Sequence, residues 1–371
     1  MTRQARAVVV REWGGPIAVE TISVAPPKRN EVMIKLAACG VCHSDLSAST
    51  GKIPFPAPLV LGHEGAGIVV EVGEGVSSLQ VGDAVVTSFI TMCGKCRQCS
   101  RGRPVLCDNA GKSQVNLPDG TVRTHGADGV PLNVFGACGV MAEYATVHLD
   151  NLVKIDPDVP LAQAALVGCA VITGVGAVFN TAKLEPGSRA AVFGVGGVGL
   201  NVIQGCQTAG AEMIVAVDTQ ADKLAMAREF GATHTINASE EADVGKAVKK
   251  LTGGVDYAFE CVGHGSVVAQ AFKALGRGGT AVVVGVADPS DKTTVGTLAL
   301  PADERTLKGS WLGSARPQYD FPRLLALYKA GKLKLDELIT RTYSIEEAPQ
   351  AFEDMKNGKN ARGVIVFGDK D

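Results

Sequence analysis

Six cysteines, one histidine and one glutamate fall at spacings that fit two different metal sites. The first is the run Cys93-x-x-Cys96-x-x-Cys99 followed by Cys107. Four thiolates on one short loop can close a tetrahedron around zinc and leave no position for water or substrate, which is the pattern of a structural site. The intervening Gly94, Lys95, Arg97 and Gln98 put this loop at the surface. Unpaired thiols there would be an oxidation liability, so metal is preferred over free or disulfide-linked sulfur. The second set is scattered: Cys42, the pair His63-Glu64, and Cys169. Two sulfurs and an imidazole leave a fourth position open, which zinc catalysis needs. One closed and one open site argue for a zinc enzyme carrying two Zn2+ per chain.

Neighbours of the open site are titratable residues set beside glycines in apolar surroundings, and such clusters need a reason. Asp45 is placed either to accept the other ring N–H of His63 and fix its orientation, or to cap a helix. Glu64 adjoins a ligand and either supports the site, visits the metal, or makes a surface salt bridge.

A third constellation points to a dinucleotide. The short apolar run Ala190–Phe193 precedes Gly194-Val195-Gly196-Gly197-Val198-Gly199, and a helical stretch through Thr208 follows. The next strand ends in Asp218. This strand, glycine turn, helix and distant acid form the Rossmann fingerprint. Gly194 permits the tight turn, Gly196 lets the backbone approach a pyrophosphate, and Gly199 lets helix and strand pack closely. The helix N-terminus, through Gly197 and Val198, offers free N–H groups to phosphate. Asp218 suits the ribose hydroxyls. A 2′-phosphate would meet its carboxylate, and Thr219 and Gln220 supply no arginine, so NAD is favoured over NADP.

The elements that must position these residues are of two kinds. Residues 1–170 carry short strand signals broken by Gly and Pro, such as Glu31–Leu36 and Gly67–Val72, and read as a β-rich domain with a partly closed sheet. From 171 to 312 strand and helix signals alternate, which predicts a parallel, doubly wound sheet. Residues 313–371 hold a helical stretch, Phe321–Ala330, and a last strand, Gly363–Phe367, and are expected to return to the first domain. The fold class is therefore α/β, with a Rossmann sheet inserted into a β-rich catalytic domain.

Bulk composition narrows the classes. The 371 residues are 46% hydrophobic and 20% charged, as in a soluble globular protein. A net charge of −2 with dispersed Lys and Arg offers no footprint for nucleic acid or an anionic membrane. Ala7–Val10 is too short for a signal sequence, and no apolar stretch of membrane-spanning length is expected. A cytoplasmic setting follows, in which ten cysteines are metal ligands or free thiols. Cys39, Cys138, Cys206 and Cys261 fit no metal spacing and are expected to be buried.

Over almost its whole length the chain resembles the zinc-dependent medium-chain alcohol dehydrogenases. The motifs that carry the resemblance are Gly40-Val41-Cys42-His43-Ser44-Asp45, Gly62-His63-Glu64-Gly65-Ala66-Gly67, the four-cysteine loop, Val167-Gly168-Cys169, the glycine turn and Asp218. The resemblance implies a GroES-like catalytic domain interrupted by a Rossmann domain, with the active site in the cleft between them. It implies Cys42, His63 and Cys169 as catalytic zinc ligands and Ser44 as the hydroxyl that hydrogen-bonds the alcohol. His43 and Arg362 fall at positions near the cofactor phosphates, Lys223 near the adenosine ribose, and Val286 beside the nicotinamide. Phe89 and Phe135 fall at substrate-pocket positions. Ser47 stands where many relatives carry the outer histidine of a proton relay, so the last proton step would run through water. The segment from Asp108 to Phe135 resembles that of dimeric members and implies a homodimer.

Rivals are weighed on residues. A glutathione-dependent formaldehyde dehydrogenase would carry an acid near Ile53 and an arginine near Gly111, and neither is present. A polyol dehydrogenase would need a more polar pocket than Phe89 and Phe135 give. A crystallin-like, non-catalytic relative would tend to lose zinc ligands, and this chain keeps them. The expected partner is a small molecule, a medium-sized apolar primary alcohol (aromatic, allylic or terpenoid) or its aldehyde, oxidised or reduced with NAD.

Overall fold

The run Ala7–Val10 lies in the strand Arg3–Val10, whose last four residues are all buried. β-branched side chains on a pleated surface covered from both sides give such a run. The strand pairs antiparallel with Ile17–Val24 and, through its last residues, with Leu59–Val60. The computed structural model describes residues 1–110 and 115–368, and these divide into two units. Unit 1 comprises Met1–Cys169, Arg316–Gly331 and Leu335–Asp371, and unit 2 comprises Ala170–Ala315 and Lys332–Lys334. Gly111 lies outside the described residues.

Unit 1 contains two sheets. One has five strands in the order Thr124–Gly126, Ile17–Val24, Arg3–Val10, Leu59–Val60, Asn133–Val134. The other is built around the long strand Glu31–Gly40, which pairs antiparallel with Gly65–Val72, with Tyr144–His148 and with Arg362–Val366. That last pairing returns the C-terminal segment to the sheet made by the N-terminal one. Between the layers sits a core that includes Val8, Ile34, Leu61, Phe135, Met141 and Tyr343. Each fully buried side chain of this kind contributes roughly 1.5–3 kcal/mol.

Unit 2 is an all-parallel, six-stranded sheet. In space its strands run His234–Asn237, Met213–Asp218, Arg189–Phe193, Val255–Glu260, Leu275–Val283, Thr306–Gly309. Numbered along the chain, that order is 3-2-1-4-5-6, the doubly wound arrangement, with its reversal between Arg189–Phe193 and Val255–Glu260. The fold is the expected α/β class: a GroES-like β-rich part and a Rossmann sheet.

Two expectations are corrected. The helical run Leu161–Ala182 is long and apolar enough to cross a membrane, although no such stretch was expected. Most of it is buried inside the protein, which accounts for its composition as a core helix. Cys39, Cys138 and Cys206 are buried as expected, but Cys261 is partly exposed.

Candidate active site

Cys42 lies two residues past the end of the strand Glu31–Gly40 and occupies the N-cap position of the helix His43–Ser49. His63 and Glu64 precede the strand Gly65–Val72, and the register pairs Cys39 with Gly65. Two neighbouring strand ends thus bring together residues far apart in sequence. Cys169 arrives from a π-helical turn, Val167–Val171, a local widening often found where a helix supplies a functional group. Gly168 lets that turn approach the sheet, since a Cβ there would lie 2.8 Å from the Thr87 carbonyl oxygen. The outcome is that one ligand atom each from Cys42, His63, Glu64 and Cys169 all lie within 4.8 Å of one another.

His63 is 1% exposed, yet neither ring nitrogen has a full hydrogen bond. Asp45 Oδ2 approaches Nδ1 to 3.2 Å, while Nε2 has no partner among the described residues. A buried, orphaned imidazole nitrogen beside two sulfurs is costly unless an electrophile takes its lone pair. The donor set, two thiols and one imidazole, is that of a zinc site. Asp45 also accepts the Gly62 N–H through Oδ1 at 2.8 Å. It stands in the first turn of its helix, not at the cap, so of its two expected placements the one facing His63 is observed.

Charge around the cluster is balanced from a distance. Glu64 is buried, which rules out a surface salt bridge, and it pairs with the buried Arg362 at 2.5 Å. The same guanidinium donates to the Val41 carbonyl at 3.1 Å. A side chain at Gly40 would put its Cβ 2.2 Å from Glu64 Oε2, so glycine is required there. Burial pushes the Glu64 carboxyl up to about 7, against the opposing pull of Arg362. Burial works against the charge of Arg362, but Glu64 and the Cys42 sulfur outweigh it and raise its pKa. Hydrogen bonding from Cys169 holds the Cys42 thiol well below its usual range, helped by His63. For His63, burial alone would favour the neutral ring, but Asp45 and Cys42 hold its pKa above the ordinary value.

Aromatic rings flank the cluster. Phe89 and Phe135 each stand edge-on to His63, with centroids 5.2 Å and 5.1 Å away. Gly136, at φ +62°, carries no Cβ where one would meet Phe89 at 2.8 Å. Ser44 Oγ lies 3.7 Å from Cys42 Sγ, and His43 is exposed at the start of the same helix. Ser47 and Ile53 are partly buried nearby in sequence.

The four-cysteine loop has the geometry of a closed metal site. Cys107 Sγ lies 3.6 Å from Cys93 Sγ and 3.8 Å from Cys96 Sγ. Zn–S bonds of about 2.3 Å set tetrahedral edges of ~3.8 Å, far from the ~2.05 Å of a disulfide. Backbone N–H groups of Cys93 and Asn109 point at Cys107 Sγ, and those of Cys99 and Asp108 at Cys96 Sγ. Such donors favour thiolate, and the Lys95 N–H above all brings Cys93 down to about 6.

In unit 2 the glycine turn behaves as its spacing predicts. Gly194 has φ +86°, and a Cβ on Gly199 would lie 1.9 Å from the Gly194 carbonyl. A Cβ on Gly196 would meet no protein atom within 4 Å. The protein itself therefore gives no reason for glycine there, which fits a cradle kept clear for a ligand. Gly197 and Val198 open the helix Gly197–Thr208. Asp218 accepts the Val195 N–H at 2.9 Å and those of Thr219 and Gln220, so it also braces the turn. Lys223 lies on the helix Ala221–Glu229 and Val286 is 60% exposed. Both belong to unit 2, whereas His43 and Arg362 belong to unit 1.

Three residues at or behind the site escaped the sequence reading. Thr87 is fully buried and its hydroxyl ties Gly65 N–H to the His63 carbonyl. A polar residue closing the apolar strand Ala84–Thr87 was the available signal. Glu31 and Arg123 form a buried bidentate pair, at 2.5 and 2.8 Å, that anchors the start of the strand leading to Cys42. No local pattern links residues so far apart.

Comparison with known proteins gives two family matches: "Alcohol dehydrogenase GroES-like domain" over residues 28–157, and "Zinc-binding dehydrogenase" over 197–330. An NDMA-dependent alcohol dehydrogenase of Amycolatopsis methanolica is 42% identical, covering 97% of this chain and 98% of its own. A class-3 alcohol dehydrogenase of Cereibacter sphaeroides is 39% identical over 98% of this chain and 99% of its own. Among solved structures, benzyl alcohol dehydrogenase from Acinetobacter calcoaceticus superposes with a TM-score of 0.93 at 34% identity, covering 99% of this chain and all of its own.

Proposed function

The chain belongs to the zinc-dependent medium-chain alcohol dehydrogenase family, and on that premise we propose that it interconverts medium-sized apolar primary alcohols and their aldehydes with NAD. Aromatic, allylic and terpenoid alcohols are the substrate class. The observation that carries this reading is the pair of rings, Phe89 and Phe135, standing edge-on to the buried His63. An apolar wall beside a metal ligand rewards each added methylene by roughly 0.8 kcal/mol. The likeness to a benzyl alcohol dehydrogenase supports it.

In this reading Cys42, His63 and Cys169 hold the catalytic zinc, and Cys93, Cys96, Cys99 and Cys107 hold a structural one. Zinc would supply Lewis acidity that lowers the pKa of the alcohol, and NAD would accept the hydride. Ser44 takes up the alcohol proton and passes it outward, and water carries it on past Ser47. Asp45 keeps the His63 ring oriented, while Arg362 neutralises Glu64 so that the cluster's negative charge is not in excess. Asp218, with Gly194 to Gly199, favours NAD, and Lys223 and Val286 of the same unit extend its contacts.

A homodimer belongs to the same proposal. The terminal strand Thr306–Gly309 is exposed at every residue, Leu307 included, and Trp311 is exposed just beyond it. Such an edge is a template for pairing with a second copy. Sedimentation of the purified protein at the monomer mass would remove this part. None of the ten cysteines is paired in a disulfide, which supports a cytoplasmic location.

The test is a panel of alcohols with added NAD. Benzyl or cinnamyl alcohol should exceed ethanol in kcat/KM by at least about tenfold, a gap of ~1.4 kcal/mol. Equal rates for ethanol, or a need for glutathione in formaldehyde oxidation, would overturn the substrate reading. The NDMA-dependent relative motivates a second arm. Turnover with NDMA but none with added NAD would overturn NAD as an exchanging cosubstrate.

A further inference from the structure

The aromatic packing beside His63 does not stop at Phe135. Phe55 stands edge-on to Phe135, with centroids 4.7 Å apart and ring planes at 79°. Farther out, the Phe55 carbonyl accepts the indole N–H of Trp13 at 2.6 Å. Exposure rises along this line, from 1% at His63 and 6% at Phe135, through the partly buried Phe55, to 54% at Trp13. The four residues form an apolar row that begins at a metal ligand and ends in solvent.

The outer pair is held in place by specific features. Trp13 lies in the turn between the strands Arg3–Val10 and Ile17–Val24. The N–H of Gly14 donates to the Ser49 carbonyl at 2.8 Å, which fastens this turn to the end of the helix that begins beside Cys42. Gly51, at φ +77°, would bring a Cβ to 3.0 Å from the indole, so its bare backbone is what the ring rests on. Phe55 donates its N–H to the Ile53 carbonyl at 2.8 Å and is flanked by Pro54 and Pro56. Prolines fix φ and remove donors, so this segment has few alternative conformations.

We propose that Phe55 is a specificity-determining residue and Trp13 the positioning residue that holds it. Phe55 forms the outer wall of the alcohol site and contacts the ring or distal chain of an aromatic or allylic primary alcohol. This rests on the proposed function above. On this proposal a two-carbon alcohol held beside His63 would stop short of Phe55, whereas an extended aromatic alcohol would meet the ring that packs on Phe135. An edge-on aromatic contact contributes enough to change kcat/KM roughly three- to tenfold.

The experiment compares wild type with Phe55→Ala, Phe55→Leu and Trp13→Phe. It measures kcat and KM for cinnamyl alcohol and ethanol, with zinc content and Tm as controls. Phe55→Ala should lower kcat/KM for cinnamyl alcohol roughly three- to tenfold, chiefly through KM, and leave ethanol unchanged. Phe55→Leu keeps apolar area but not the ring, and should recover only part of the loss. Trp13→Phe keeps a ring but lacks the donor, and should shift the ratio in the same direction by less. An equal loss on both alcohols, or an unmoved ratio, would overturn the wall assignment. If Phe55→Ala fails to fold, an unmoved ratio in both other variants does the same. A wild-type enzyme that treats the two alcohols alike overturns the proposed function, and this inference with it. A wild-type preference with unmoved variants overturns this inference alone.

Discussion

Replacing Asp45 by Asn removes one charge and almost no volume, and isolates what that carboxylate does for the metal site. Its Oδ1 accepts the Gly62 N–H at 2.8 Å, and an amide oxygen can keep that bond. Its Oδ2 lies 3.2 Å from His63 Nδ1, and there Asn would present a donor to a donor. Both side chains are almost wholly buried, so solvent does not screen the change. A full charge-assisted hydrogen bond is worth roughly 1.5–3 kcal/mol, which bounds this 3.2 Å contact from above. Removing a carboxylate behind a metal-ligating histidine costs about 10- to 100-fold in metal affinity, or ~1.4–2.7 kcal/mol. The second figure lies within that bound, so zinc at the Cys42–His63–Cys169 cluster should bind about 10- to 100-fold more weakly in Asp45→Asn. The assay is competition with a chromophoric chelator at fixed pH, paired with kcat on the zinc-saturated protein. The four-cysteine loop shares no residue with this cluster and should keep its zinc. On the proposed assignment of two zincs per chain, zinc content should therefore fall toward one as chelator rises, earlier than in wild type. If the variant holds both zincs at the same chelator concentration and turns over within about twofold of wild type, the orienting role is wrong, and Asp45 serves only to hold Gly62.

The remaining predictions concern other parts of the molecule. Cys99→Ala should lower Tm and solubility while leaving zinc at the other cluster, because a closed site contributes folding energy. Unchanged Tm with one zinc lost would contradict it. Asp218→Gly with Thr219→Arg should raise kcat/KM for NADP and lower it for NAD, and Tm should fall because three backbone N–H groups lose their acceptor. A preference for NADP in the unmodified enzyme would refute the cofactor assignment. Asp354 is held below the usual carboxylate range, first by the Tyr343 hydroxyl and then by Gln350 and Lys359. A depressed folded-state pKa gives stability that is present above the unfolded value of about 3.9 and is lost as pH falls through the folded one. Wild-type Tm should therefore drop more steeply below pH ~4 than that of Asp354→Asn, and parallel curves would exclude the network.

Much of the site could be read from the chain because its chemistry is encoded in short spacings. Cys93, Cys96 and Cys99 sit on one loop, and Gly194, Gly196 and Gly199 on one turn, so local pattern suffices. The same holds for the strand and helix alternation that gives the parallel sheet. What escaped depends on distant pairings. Whether Glu64 supports the site, visits the metal or makes a surface salt bridge stays open until Arg362, 298 residues later, is seen beside it. The sequence places Phe89 and Phe135 at pocket positions, but nothing in it puts Phe55 edge-on to Phe135, because that contact depends on how a proline-flanked loop folds back. Leu161–Ala182 does not read as one long apolar helix, because glycines and threonines interrupt its hydrophobic residues.

The pairing of Glu64 with Arg362 also sets an order on the protein's birth. On a ribosome, Cys93 to Cys107 emerge within one short stretch and can capture zinc at once. Cys42, His63 and Cys169 are all available by the time residue 169 has emerged. Arg362 and the strand Arg362–Val366 are not made until the whole Rossmann unit has been translated. At roughly 5–20 residues per second, that interval is about 10–40 s. Throughout it the nascent first unit lacks the strand that pairs with Glu31–Gly40, and Glu64 has no counter-charge. The four-cysteine loop is thus complete early in synthesis, while the Cys42–His63–Cys169 cluster reaches its final electrostatic state only after the return segment docks.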